Sequence, residues 1–319
     1  MLGILILKIL KEYSDEQHPL TQKKIIQYLN LEYGMECERR SISKNIIMLK
    51  EMGYDIVKNR QGCFLIHDFD DAQLRLLIDS VLFSKTISRS QAKQLIEKLK
   101  NLSSRHFKCR VNHIMNLPEL HHSDNTRVMS NIDVLSEAIG KNKKISFIYN
   151  TYGTDFKLHP KREEPYIVSP YQMVATNGRY YLIGNYDKYD NISHYRVDRM
   201  TDVKVIKESV KPKKEVKDII NGFNLPQHMA EHIYMFSGES IRVKFKTYDW
   251  MMDSLIDWFG KDFNILQRED DKILISVKVN KTAMQYWTMQ FGEYVEIVEP
   301  DSLRKSIFEA AQVILDAHK

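Results

Sequence analysis

Arg39, Arg40, Ser41 and Lys44 fall within six residues of one another, and Lys58 and Arg60 follow a short way downstream. These side chains suit nucleic acid: cationic groups neutralise phosphates, and Arg, Lys and Ser also reach base edges in the major groove. Residues 39–50 hold four basic residues (Arg39, Arg40, Lys44, Lys50) and no acidic one, whereas residues 1–67 hold ten basic against eight acidic. Positive charge is thus focused on one segment. A second group, His194, Arg196 and Arg199, lies far along the chain with tyrosines nearby. Guanidinium groups grip phosphate or carboxylate through paired hydrogen bonds, and tyrosine rings offer stacking faces. The same arginines are equally suited to a structural ion pair with Asp198.

Other chemistries lack their residues. His106, Cys109, His113, His121 and His122 crowd together, and Cys109-x-x-x-His113 has the spacing of two metal ligands on a helix. No second matched pair accompanies them, so no metal site is expected. There is no nucleophile elbow, no phosphate-binding loop and no dinucleotide fingerprint. Glu163 and Glu164 are adjacent, so in a strand they point to opposite sides and make a poor catalytic pair. No enzyme activity and no cofactor are expected.

The 319 residues suggest two or three domains, and 43% hydrophobic with 28% charged residues is ordinary for a folded, water-exposed chain. A net charge of +5 permits an acidic partner without demanding one. No apolar run is long enough to span a membrane. The opening MLGILILKIL lacks the basic start and cleavage site of a signal peptide and reads as the buried face of a helix. Three cysteines, Cys37, Cys63 and Cys109, without a close pair suit a reducing cytoplasm.

The elements that must carry these groups follow from periodicity and punctuation. Residues 1–67 read as three helices and a hairpin. Leu2–Tyr13 is the first; Thr21 caps Gln22–Tyr33, which Gly34 stops; Cys37–Met52 is the third. On it, Ile42, Ile46 and Leu49 share one face, while Arg40 and Lys44 fall opposite. Tyr54–Val57 and Cys63–Ile66 form a hairpin with Lys58, Asn59, Arg60 and Gln61 at its tip. A basic third helix and a basic hairpin together make a winged helix-turn-helix. Residues 68–130 are a helical linker, with helices Ala72–Phe83 and Ser90–Leu102, then a loop over His106–Asn125. Residues 131–207 begin with helix Asn131–Lys141 and continue as five short strands. These suggest a small bent barrel, with Asn177-Gly178 as a type I′ turn. Lys207–Lys217 reads as a solvated linker. Residues 237–319 follow the order βαββαβ with a final helix Ser302–Ala317, a ferredoxin-like signature. Trp250, Trp258, Trp287, Met251, Met252, Met284 and Met289 are its candidate core or interface anchors.

From Gly178-Arg179-Tyr180-Tyr181-Leu182-Ile183-Gly184 onward, with Pro170 upstream and His194-Tyr195-Arg196-Val197-Asp198-Arg199-Met200 downstream, the chain resembles the WYL-domain transcriptional regulators of bacteria. Each motif is short; their order and spacing make the resemblance specific, and it covers nearly the whole chain. It departs from the family pattern in having Tyr180 where Trp is commoner. The resemblance implies an α+β multidomain protein: an N-terminal winged helix-turn-helix, a central Sm-like or SH3-like β-barrel (the WYL domain) and a C-terminal ferredoxin-like extension. It also implies an effector pocket in the barrel, for a nucleotide or nucleic-acid fragment, with Tyr180, Arg196 and Arg199 carried over and His194 and Arg162 beside them. Strand alternation puts Tyr180 and Leu182 on one face and Tyr181 and Ile183 on the other, and leaves open which face is inner.

The expected function is that of a cytoplasmic, homodimeric, ligand-responsive regulator. Arg39, Arg40, Ser41, Lys44, Lys58 and Arg60 would contact double-stranded DNA. The alternative is an accessory protein that binds single-stranded nucleic acid through the barrel.

Overall fold

The apolar stripe of the first helix, α1 (Leu2–Tyr13), turns Ile6, Ile9 and Leu10 completely inward. The computed structural model describes residues 1–111, 125–220 and 222–319. The chain divides into two units, Met1–Thr126 and Arg127–Lys319.

In the first unit, α2 (Gln22–Tyr33) starts where Thr21 Oγ1 accepts a hydrogen bond from Lys24 N–H, and ends where Gly34 turns left-handed at φ 60°. Helix α3 (Arg39–Glu51) packs on both through Ile42 and Leu49. The hairpin of β1 (Ile56–Lys58) and β2 (Cys63–Leu65) is antiparallel. It is fastened next to its turn by paired backbone hydrogen bonds between Leu20 and Cys63, 2.8 and 2.9 Å. Gly62 permits this approach, since a Cβ there would lie 2.4 Å from the Leu20 carbonyl oxygen.

Capping boxes at Asp70/Gln73 and Ser88/Gln91 open α4 (Asp71–Leu82) and α5 (Arg89–Lys100). Both helices share a core of Leu74, Ile78, Ile96 and Phe107. The segment expected as a loop from His106 begins instead as a helix, α6 (Arg105–Val111). Beyond Phe107, which joins the α4–α5 core, its partners are polar and remote in sequence, so no periodicity betrays it. Lys108 Nζ lies 2.8 Å from Glu12, Ser104 Oγ donates to Asp15 at 2.7 Å, and His106 stacks on His18 at 3.7 Å. His113, His121 and His122 lie outside the described residues.

The second unit is α+β. Helix α7 (Val128–Gly140) lies on a curled antiparallel sheet, a half-barrel, of β3 (Lys143–Tyr152), β4 (Leu158–Pro160), β5 (Tyr166–Thr176), β6 (Arg179–Tyr186), β7 (Ser193–Arg196) and β8 (Met200–Ser209). The order is β4-β3-β5-β6-β7, with β8 also paired to β3. Asn177 and Gly178 turn β5 into β6 with φ of 52° and 71°, the positive values a type I′ turn requires. Both faces of β6 are buried. Leu182 joins the α7 core, and Ile183 joins a second core with Tyr171, Val216, Ile219 and Met235.

That second core corrects the reading of Lys207–Lys217 as a solvated linker. Strand β8 runs to Ser209, and Val216 and Ile219 are 0% and 2% exposed against the sheet. Lys211 N–H donates to Ser169 Oγ, and Tyr171 O–H to the Lys211 carbonyl. The charged run hides two inward residues three apart.

A short helix, α8 (Leu225–Glu231), follows. Then β9 (Ser240–Tyr248), α9 (Met252–Phe259), β10 (Phe263–Glu269), β11 (Lys272–Asn280), α10 (Lys281–Gln290) and β12 (Glu296–Glu299) form a four-stranded antiparallel sheet of order β10-β11-β9-β12 with its helices. Phe245, Phe259, Met284 and Trp287 fill its core, and Met251 is buried with them. Trp250 is instead exposed. The last helix, α11 (Asp301–Ala317), buries Leu303 alone completely.

Candidate functional site

Helix α3 has three sides. Ile42 and Leu49 face the core; Arg40 and Lys44 face outward; Arg39, Ser43, Ile47 and Lys50 flank the hairpin. Arg39, Arg40, Lys44, Lys50, Lys58 and Arg60 are all exposed, and none forms a salt bridge among the described residues. Arg39, Lys50, Lys58 and Arg60 line one cleft of about 470 Å³ between the start of α2, α3 and the hairpin tip. The tip is held by Asn59, whose Oδ1 accepts from the backbone N–H groups of Gln61 and Gly62 at 2.8 and 2.9 Å. Asn59 therefore shapes the tip, while Lys58 and Arg60 project from it.

Ser41 lies on the other flank, half-buried, and does not line the cleft. Ser43 takes that place and accepts a hydrogen bond from Gln22 Nε2 at 2.6 Å. Its spacing of four from Arg39 is the signal that could have found it.

The residues proposed for the barrel are distributed over three places. Arg196 forms a two-pronged pair with Asp198, Nε–Oδ1 3.1 Å and Nη2–Oδ2 2.6 Å. Asp198 is 1% exposed and also receives Arg179 Nη1 at 3.3 Å. The register pairs Arg196 with Tyr181, so Tyr181 rather than Tyr180 is its cross-strand neighbour. Tyr180 stands near the turn, 38% exposed. Arg199 is half-buried, with its Nε enclosed and without a hydrogen-bond partner among the described residues. Its guanidinium lies 6.0 Å from the Tyr152 ring.

Arg162 is fully engaged elsewhere. It lies over the Tyr166 ring at 3.6 Å and donates to the Tyr186 hydroxyl and to the carbonyls of Glu164 and Pro165. Tyr166 belongs to an aromatic cluster with Phe147, Tyr149 and Tyr195. Burial raises the Tyr149 and Tyr195 hydroxyls above their ordinary pKa, so both stay protonated. Tyr149 Oη accepts from Arg196 N–H.

His194 joins neither group. Its Nε2 lies 2.8 Å from His228 Nε2, and His232 is close by. Sequence reading missed His228 and His232, although His228-x-x-x-His232 places two rings on one side of a helix.

Comparison with known proteins gives two family matches, a WYL domain over residues 130–205 and a WCX domain over residues 239–315. No curated protein matches. Among solved structures, the chain is similar to proteasome accessory factor B/C (PafBC) of Arthrobacter aurescens. The identity is 14% and the TM-score 0.31, covering 96% of this chain and 47% of that one. It thus spans about half the length of that protein. It is also similar to a CRISPR Cas-related protein at 15% identity and TM-score 0.40, covering 99% of this chain and 83% of that one.

Proposed function

Since this chain belongs to the WYL-domain family, with a WCX domain following, we propose that it is a DNA-binding transcriptional regulator that works without catalysis in the cytoplasm. The observation that carries this reading is the set of six exposed cations on α3 and the hairpin, none in a salt bridge among the described residues. In this reading residues 1–67 are a winged helix-turn-helix and α3 enters the major groove. Arg40 and Lys44 lead it, and Arg39, Lys58 and Arg60 hold the backbone beside it. Residues 68–130 link this domain to an Sm-like or SH3-like WYL barrel, 131–207. The ferredoxin-like unit, 237–319, is supported by the strand order β10-β11-β9-β12.

An anionic effector, a nucleotide or nucleic-acid fragment, would bind at Arg199, whose enclosed Nε has a donor to offer. Tyr152, 6.0 Å from the guanidinium, supplies the ring beside it, and Tyr180 is a further exposed ring on the same domain. Arg196, Arg162 and His194 then shape the barrel rather than touch the effector. Homodimerisation is supported by α11, which exposes Phe308, Val313, Ile314 and Leu315.

Titration with duplex and single-stranded DNA at two salt concentrations tests the reading. Duplex should bind more tightly, with a steep salt dependence. Arg40→Ala and Lys44→Ala should each weaken binding and flatten the log–log salt slope by about 0.9 for each phosphate left unneutralised. Preference for single strands that survives those changes but vanishes with Arg199→Ala would replace it with the single-strand-binding alternative.

A further inference from the structure

We propose that His194, His228 and His232 form a binding site for one divalent transition-metal ion of the zinc type, which fastens β7 to α8. The three imidazoles offer one ligand atom each, all within 4.8 Å of one another. They come from two places in the chain. His194 is on β7, inside the WYL match, whereas His228 and His232 lie at the end of α8 in the segment between the two family matches. The proposal is independent of DNA binding.

Packing alone does not account for this arrangement. Two Nε2 atoms 2.8 Å apart need a proton between them, so one ring donates and the other accepts. Whichever way that proton lies, His194 Nδ1 is buried without a hydrogen-bond partner among the described residues. A cation shared by the rings removes the need for a proton between the two Nε2 atoms, so that both can direct a lone pair at the ion. The ring of His232 is oriented by its Nδ1, which lies 3.0 Å from the His228 carbonyl oxygen. Donation there leaves Nε2 as the ligand, the outer hydrogen bond that metal-binding histidines usually make. Zinc holds imidazole nitrogens at about 2.0–2.1 Å, which in a tetrahedron sets them about 3.3 Å apart. The observed spacings, 2.8 Å between His194 and His228 and at most 4.8 Å across the three, bracket that value.

Imidazole nitrogens favour zinc, copper, nickel and cobalt over magnesium or calcium. Glu231 is no competitor as a ligand, because its carboxylate is held by Lys278 at 3.0 Å and Gln227 at 2.8 Å. A cleft of about 960 Å³ reaches His228 and His232 and supplies an entry path and room for water as the fourth ligand.

The full chain, treated with chelator and titrated with Co²⁺, provides the test. One Co²⁺ should bind per chain with visible ligand-field bands, and an equivalent of Zn²⁺ should displace it. His194→Gln and His232→Gln should abolish the bands while far-UV circular dichroism is unchanged. Histidine ¹⁵N–¹H spectra of the wild type need no substitution: Zn²⁺ should shift these three rings together. A wild type that binds no stoichiometric Co²⁺, bands that persist in both variants, or three rings that ignore Zn²⁺ would each overturn the site.

Discussion

Asp198 holds two arginines, Arg196 in a two-pronged pair and Arg179 through one nitrogen, with side-chain exposures of 17% and 29% against 2% for the carboxylate. Removing one member of an enclosed ion pair leaves the others uncompensated, which is a larger loss than the pair's net contribution. Asp198→Asn should therefore destabilise the second unit by about 3 kcal/mol. Arg199→Ala, which severs no observed ion pair, should cost under about 1 kcal/mol. Denaturant unfolding followed by tryptophan fluorescence distinguishes them, and equal losses would contradict this division between a structural arginine and a free one. Sequence alone names both arginines and the aspartate, and leaves the ion pair and the ligand contact as alternatives. The Arg196–Asp198 pair is local, two residues apart, but the burial of Asp198 and its second partner, Arg179 on β6, are tertiary facts.

Strand β6 shows why some elements are legible in the sequence and others are not. Thr21 and Gly34 bound α2, and Asn177-Gly178 turns β5 into β6, by chemistry confined to a few neighbouring residues. The βαββαβ order can be read for the same reason. Burial of both faces of β6 cannot be read, because the second cover comes from residues 210–235, a stretch rich in lysine. Gly184 belongs to the same packing: a Cβ there would meet Val168 Cγ1 at 2.7 Å and the Ser169 carbonyl oxygen at 2.8 Å. The histidine trio is hidden similarly, His194 lying 34 residues before His228 on another element. A docked segment and a solvated linker differ measurably. Ile219→Ala should cost about 3 kcal/mol and speed hydrogen exchange along β6, as truncation of a buried isoleucine does. A solvated linker would lose at most about 0.5 kcal/mol.

The whole molecule, as a regulator, must present its basic helix to DNA twice if it reads a two-fold operator, and α11 supplies the argument for the pairing. Leu303, Ile307, Ala310 and Ile314 repeat at helical spacing along one stripe. Cover fades along it, from 0% exposure at Leu303 to 49% at Ile314, while Phe308 and Leu315 beside it are 69% and 59% exposed. A helix that carries its apolar stripe beyond its own core has surface to bury against a copy of itself, and a two-fold contact is the simplest closed solution. Ile314→Glu combined with Phe308→Glu should yield a folded monomer, since neither side chain is buried in its own unit. Sedimentation should show the mass halved, with circular dichroism unchanged. Affinity for a single half-site should stay the same. Affinity for two half-sites on one duplex should fall on the order of 100-fold, because the second binding event is no longer intramolecular. A double variant that remains dimeric would move the interface away from α11, and one that is monomeric yet binds paired half-sites undiminished would separate dimerisation from DNA recognition altogether.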